Sequence, residues 1–216
     1  MEAFRKKDLF YSSIAFSSLL LLWPIFVVIS VPRGTIPEQI QSVNESFVLH
    51  GLNFLVALFI APSLLWMLRS LYPLMTGNIS KRWLSMAVFF YLLYFLLIEI
   101  SYGSQVFYLP WILDMYPQPV VLKWFFYNPD SIAYLFNQSG YLSWSLATFF
   151  LFFPLIGKQR KLLLIASLIF LLSAVLQTLA SLGVFLNIEN LASLSFFSGI
   201  LLFPAGILLM IFSTKK

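Results

Sequence analysis

Residues 9–31 read LFYSSIAFSSLLLLWPIFVVISV, twenty-three positions without an acidic or basic side chain. At about 1.5 Å per residue a helix of this length spans the ~30 Å hydrocarbon core of a bilayer. The run follows Arg5, Lys6 and Lys7, a basic start like that of a signal peptide. Its apolar stretch exceeds the roughly 7–15 residues of a signal core, and the VPRGT that follows has no small-residue cleavage pattern. It reads as a retained signal anchor and the first of several spans.

Further apolar runs fall near 51–75, 83–101, 141–157, 161–184 and 191–213. With the first near 9–31 they predict an all-α, polytopic membrane protein: one membrane domain over residues 1–216 with six transmembrane helices. The whole chain agrees. Of its 216 residues 61% are hydrophobic and 10% charged, against about 45–50% and about 25% in a soluble domain, and its mean hydropathy is +0.92. Such a chain cannot cover a water-facing surface, which excludes a soluble enzyme, a nucleic-acid-binding domain and a disordered chain.

The net charge of +5 is unevenly placed. Arg5, Lys6, Lys7, Arg69, Lys81, Arg82, Lys158, Arg160, Lys161, Lys215 and Lys216 fall at one set of helix ends, 11 of the 13 basic residues. Arg33 and Lys123 fall at the other, with Glu38, Glu45, Asp114, Asp130 and Glu189. Positive charge concentrates on the cytoplasmic side. A multi-pass membrane protein with both termini cytoplasmic is therefore expected, and the compactness of the chain favours the plasma (inner) membrane.

The expected outer side carries two long connections. Residues 32–50 are polar; residues 102–140 hold Trp111, Trp124 and many Phe and Tyr, broken by Pro110, Pro117, Pro119 and Pro129. Aromatic rings with one polar end favour the headgroup region, so 102–140 reads as an aromatic interfacial or re-entrant segment of short helices along the outer rim: an anchoring collar, a lid over a cavity, or a partner-binding surface. Asn128 is expected to cap a helix with Pro129 in its first position. The N-x-S sequons at Asn44, Asn78 and Asn137 read as accidental, since the middle one falls on the cytoplasmic side.

Polar residues at membrane depth are site candidates by default. Glu99 is the only acid inside an expected span, less than a turn from the outer end of 83–101, and Tyr91, Tyr94 and Tyr102 share its broad face. His50 and Asn53 stand at the outer entrance of the second span. Gln177 lies about two turns from the outer end of the fifth, amid a small-residue stripe of Ala166, Ser173, Ala174 and Ser181. One reading is an outward-facing cavity with Glu99 as its charged anchor, walled by Tyr91, Tyr94, Tyr102, His50, Asn53 and Gln177, with Trp111, Trp124 and Asn128 in a lid. The other is that Glu99 reaches headgroup water or pairs with Arg33 or Lys123, and Gln177 bridges helices. In the sixth span Ser195 and Gly199 suggest tight packing.

No catalytic set or cofactor is expected. There is no cysteine and one histidine, so thiolate and multi-histidine metal sites are absent. No GxSxG elbow or nucleotide-binding glycine loop occurs, and Asp8, Asp114 and Asp130 all lie outside the spans.

The stretches IEISYGSQV (98–106) and YNPDSIAYLFNQSGYLSWSLATFFLF (127–152) resemble an uncharacterised family of six-helix bacterial inner-membrane proteins, in which an aromatic-polar loop with an Asn-Pro element leads into a Gly-Tyr helix start, here Gly140-Tyr141. The resemblance implies the six-helix architecture and carries no activity. The functional expectation is a non-enzymatic membrane protein that binds a lipophilic or amphiphilic small molecule, or a lipid, from the outer side. Alternatives are a substrate-capture subunit of a multi-component transporter and a structural or immunity-type protein that binds another membrane protein. The expected partners are the lipid bilayer, such a small molecule or a membrane protein, and no nucleic acid.

Overall fold

The computed structural model describes residues 2–71, 78–115, 118–156 and 161–214. The end of the second expected span (72–75) and Lys158, Arg160, Lys215 and Lys216 lie outside the described residues. The elements are α1 (Glu2–Ser30), α2 (Ile36–Glu45), α3 (Phe47–Leu71), α4 (Asn78–Gly103), a π-helical segment (Ser104–Tyr108), α5 (Leu109–Met115), α6 (Gln118–Trp124), α7 (Ile132–Ile156), α8 (Lys161–Phe185), α9 (Glu189–Ala192) and α10 (Leu194–Thr214). There is no strand among the described residues.

Among the described residues six long helices close into a ring. α1 packs on α3 and α10, α3 on α4, α4 on α7, α7 on α8, and α8 on α10. Among the described residues five helices are long and apolar enough to cross a membrane: Lys6–Ser30, Phe47–Leu71, Lys81–Met115, Lys161–Phe185 and Glu189–Thr214. α7, with 25 residues, is not among them.

Inside the ring, small and polar residues lie among large buried ones such as Phe16, Leu64, Met67, Tyr91 and Phe170. On α8, Ala166, Ser173, Ala174, Gln177 and Ser181 are buried while Ile165, Leu168, Leu172, Val175, Leu179 and Leu182 face out. Lipid solvates an apolar surface as well as a protein core does, so helices associate through close packing and hydrogen bonds instead. Accordingly, Ser173 Oγ donates to the Ser198 carbonyl at 2.6 Å, and Ser198 Oγ to the Ser173 carbonyl at 3.0 Å, tying α8 to α10. α4 and α7 are joined by Tyr91 Oη and Thr148 Oγ1 (2.9 Å), by Tyr102 Oη and Tyr141 Oη (2.8 Å), and by Ser101 Oγ donating to the Ala133 carbonyl (2.7 Å).

Several expectations are corrected. The 102–140 stretch does contain short helices, α5 and α6, but its ends belong to the long ones: α4 passes through the π segment into α5, α6 follows, and α7 begins at Ile132, ahead of the expected start at 141. Asn128 does not cap α7. Ser131 Oγ accepts from the Tyr134 amide at 3.0 Å and serves as the cap, while Asn128 Nδ2 donates to the Leu122 carbonyl at 2.8 Å and closes the end of α6. Gly140 is not a helix start; it lies within α7, and a Cβ there would stand 3.0 Å from Ile98 Cγ1 on α4. Asn137 is buried and unavailable to a glycosyltransferase. Gly199 makes no tight contact, since a Cβ there would meet nothing within 4 Å. It lines a groove of about 270 Å³ between α1 and α10, and the close approach of those helices falls at Gly206, where a Cβ would collide with Ser17 Oγ.

The polar 32–50 stretch contains α2, begun by a capping box. Glu38 accepts from the Thr35 amide (2.7 Å) and hydroxyl (2.8 Å). Val43 of α2 joins Leu109 and Ile112 of α5, Val121 of α6 and Phe125 in a second small core. α2, α5 and α6 thus form a helical cap over one end of the ring.

Two outcomes follow from this packing. Gly140→Val should lower the free energy of unfolding by about 1–3 kcal/mol through overpacking against Ile98, whereas Gly199→Ala should be neutral or add up to about 1 kcal/mol; denaturation in detergent measures both. The Thr35 hydrogen bonds hold the Glu38 carboxyl below its ordinary value of 4.5. Its contribution is therefore complete above pH 4.5 and lost as pH falls through the depressed folded value. Amide exchange around residues 35–39 should accelerate over that acid window, and Glu38→Gln should remove the dependence.

Candidate functional site

α4 and the segment after it position the polar residues at the capped end. Pro110 has no N–H to give the preceding turn, and its ring crowds the carbonyl of residue 106. The chain answers with a wider turn, in which the Leu109 amide donates to the Ser104 carbonyl, five residues back. π turns of this kind recur at functional sites. Here the wider turn carries Gln105, fully buried, toward the cap. Gln105 Nε2 donates to the Trp124 carbonyl (2.7 Å) and to Ser104 Oγ (2.9 Å), and its Oε1 accepts from the Phe126 amide (3.2 Å). One side chain thereby fixes the chain leaving α6.

Beside it lies a buried polar junction between bundle and cap. His50, 1% exposed, and Asn53 face inward from α3, and Tyr127 comes in from the α6–α7 connection. The His50 ring packs on Phe54 at 4.7 Å, Tyr127 at 5.8 Å and Phe47 at 5.9 Å between centroids. Among the described residues neither His50 nitrogen has a hydrogen-bond partner, and the same holds for Asn53 Oδ1 and Tyr127 Oη. Gln105 faces His50, and Asn53 faces Tyr127, without completing hydrogen-bond geometry. Burial pushes the Tyr127 phenol up to about 12, so it stays a neutral hydroxyl at physiological pH. The contacting rings leave little space, and the polar atoms suit ordered water better than a bulky guest.

Glu99 belongs to a different feature. It lines a shallow recess of about 340 Å³, open to the side of the bundle, with Ile100, Gly103, Ser104, Tyr108 and Trp124. Glu99 is half-buried, and its Oε1 is buried without a hydrogen-bond partner among the described residues. Because Lys81–Met115 is one continuous helical path, Glu99 is not at a helix end as expected. Counted from Lys81 it is eighteen residues up, about 27 Å, near the far boundary of a ~30 Å core.

The structure therefore divides the expected site. Glu99 and Trp124 share the recess. Tyr91, Tyr94 and Tyr102 turn away into the bundle: the first and third bond to α7, and Tyr94 packs 6.3 Å from Tyr141. His50 and Asn53 form the polar junction instead. Gln177 is on the α8–α10 interface, where its Oε1 accepts from Ser195 Oγ at 3.1 Å. Trp111 is exposed at the cap near Tyr108, and Asn128 is structural. Gln105 and Tyr127 are not among the expected site residues because both lie outside the expected spans, where polar side chains are unremarkable. A lone amide five residues before Pro110 is the signal that points to Gln105.

Gln105→Leu keeps the bulk but leaves the Trp124 carbonyl and Phe126 amide unpaired, at roughly 1–3 kcal/mol each. The melting temperature in detergent should fall by about 5–10 °C. Amide exchange should accelerate in α6 and leave the α8–α10 seam unchanged; uniform acceleration would contradict a local pinning role. No protein family, curated protein or solved structure matches this chain.

Proposed function

We propose that the protein is a six-span plasma-membrane protein, both termini cytoplasmic, that binds an amphiphilic small molecule or lipid from the outer side in the Glu99 recess. The sixth span is α7. Its Leu135, Leu142, Leu146, Phe149 and Phe153 face outward, and it stands in the ring between α4 and α8, so an apolar stripe meets lipid along its length. The basic residues at the α1, α3, α4 and α8 ends on the termini side support the orientation.

The observation that carries the binding reading is a carboxylate oxygen without a partner in an otherwise apolar-aromatic recess that opens sideways. A carboxylate at membrane depth costs free energy that a protein seldom leaves uncompensated. An amphiphile with an ammonium head supplies the compensation. Its head meets Glu99 and the faces of Trp124 and Tyr108, where a cation is favoured, and its tail stays in lipid beside Ile100. The lateral opening lets such a molecule enter from the bilayer without a movement of the cap. The small-residue stripe of α8, which an interaction scaffold would leave exposed, is spent on the ring itself.

A long-chain alkylamine and the alkanol of equal chain length distinguish the head from the tail in nanodiscs of neutral lipid. Glu99→Gln should weaken alkylamine binding about 10-fold or more, as expected for a charge-assisted contact of roughly 1.5–3 kcal/mol, and leave the alkanol within about 2-fold. Equal affinities of the native protein for amine and alkanol would refute the reading.

A further inference from the structure

At the opposite end of the same helix, α3 and α4 leave a second furrow, lined by Leu65, Leu68, Arg69, Ser85, Val88 and Leu92, with a volume of about 430 Å³. It is graded along its length. On α4 the spacing Lys81–Ser85–Val88–Leu92 places four side chains in one stripe, basic first, then hydroxyl, then apolar. On α3 Leu65 and Arg69 repeat the gradient one turn apart. Lys81 and Arg69 are exposed, and neither has an acidic partner among the described residues. The first turn of α4 contains no acid, so the positive potential there is uncompensated by the protein. From Ser85 to Leu92 the apolar wall runs about 10 Å, most of the ~15 Å depth of one leaflet.

We propose that this furrow binds an anionic glycerophospholipid of the leaflet on the termini side, its phosphate between Arg69 and Lys81 and one acyl chain along Leu65, Val88 and Leu92. A basic end joined to an apolar slot between membrane helices matches the two halves of such a lipid in order and in depth. Arg69 supplies a planar fork that two phosphate oxygens fit, and Lys81 a compact charge on the other side. A zwitterionic lipid offers the same chain but sets its ammonium against these two cations. The site is independent of the Glu99 recess in both charge and position.

The test is native mass spectrometry of the detergent-extracted full chain with palmitoyl-oleoyl phosphatidylglycerol or phosphatidylcholine at equal concentration. Phosphatidylglycerol should be retained at least about 5-fold more. Arg69→Gln combined with Lys81→Gln should reduce that preference to within about 2-fold, while Arg33→Gln, at the other end of the bundle, should leave it intact. Val88→Trp, which fills the slot, should lower retention of both lipids; Ser85→Trp serves the same purpose if Val88→Trp loses the helical circular-dichroism signal. The proposal is overturned by equal retention of the two lipids, by a preference that survives the double substitution or falls equally in Arg33→Gln, by displacement of phosphatidylglycerol by millimolar inorganic phosphate, or by full retention when the slot is filled.

Discussion

The capped end of the bundle depends on the three hydrogen bonds of Gln105. A chain at the edge of a bilayer cannot leave its peptide groups unpaired, because there is little water to receive them. Past Tyr108 the helix meets Pro110 and must lose a bond. The π turn takes up the lost register, and the residue it turns inward collects the Trp124 carbonyl and Phe126 amide. Those two groups belong to the stretch where the chain leaves α6 and has no helical partner for them. A defect in one helix and the frayed end of another are thus satisfied by one amide. That brings α5 and α6 together, gives Val43 of α2 a surface to bury against, and sets Tyr127 over His50.

The same constraint explains what was legible in the sequence. Long apolar runs with charges only at their ends read directly as spans, since length and charge placement are properties of the chain alone. What could not be read is where the helices of the 102–140 stretch begin, end and join their long neighbours, and the reason is physical. Its four prolines and many aromatic residues suggest irregular backbone by local propensity, yet tertiary partners restore helix through most of it. Pro110 falls where a π turn absorbs it. Asn128 has the residue type of a cap but spends its amide on Leu122, leaving the cap to Ser131. Local preference was outweighed by which backbone groups lacked partners.

The expected site divided for a related reason. Tyr91, Tyr94, Tyr102 and Glu99 share a broad helical face, but a face more than 100° wide borders two different surroundings in a packed ring. The tyrosines point to α7 and α3, where each hydroxyl or ring finds a neighbour. Glu99 falls just past the boundary, beside the lipid-facing Leu96 and Ile100. Sequence periodicity gives the direction of a side chain relative to its own helix and not what stands opposite. The small-residue stripe around Gln177 was legible as an interface because smallness itself implies close approach; its partner, the serine pair on α10, was not.

α4 carries both lateral recesses, with opposite charge at each. Lys81 and Arg69 mark one end, Glu99 the other, and about 27 Å of helix separates Lys81 from Glu99, close to the thickness of the hydrocarbon core. A membrane protein that only filled space would gain nothing from unpaired charge at both boundaries of one helix, because each such group costs free energy wherever it cannot reach water. Snorkelling accounts for Arg69 and Lys81 in part, since long flexible side chains reach the interface. It accounts poorly for Glu99, whose short side chain lines a recess with Trp124 and has one oxygen buried. On the proposed function, the asymmetry places the stronger demand for an outside ligand at Glu99. At the other end the basic pair selects among lipids that are already present in the surrounding leaflet.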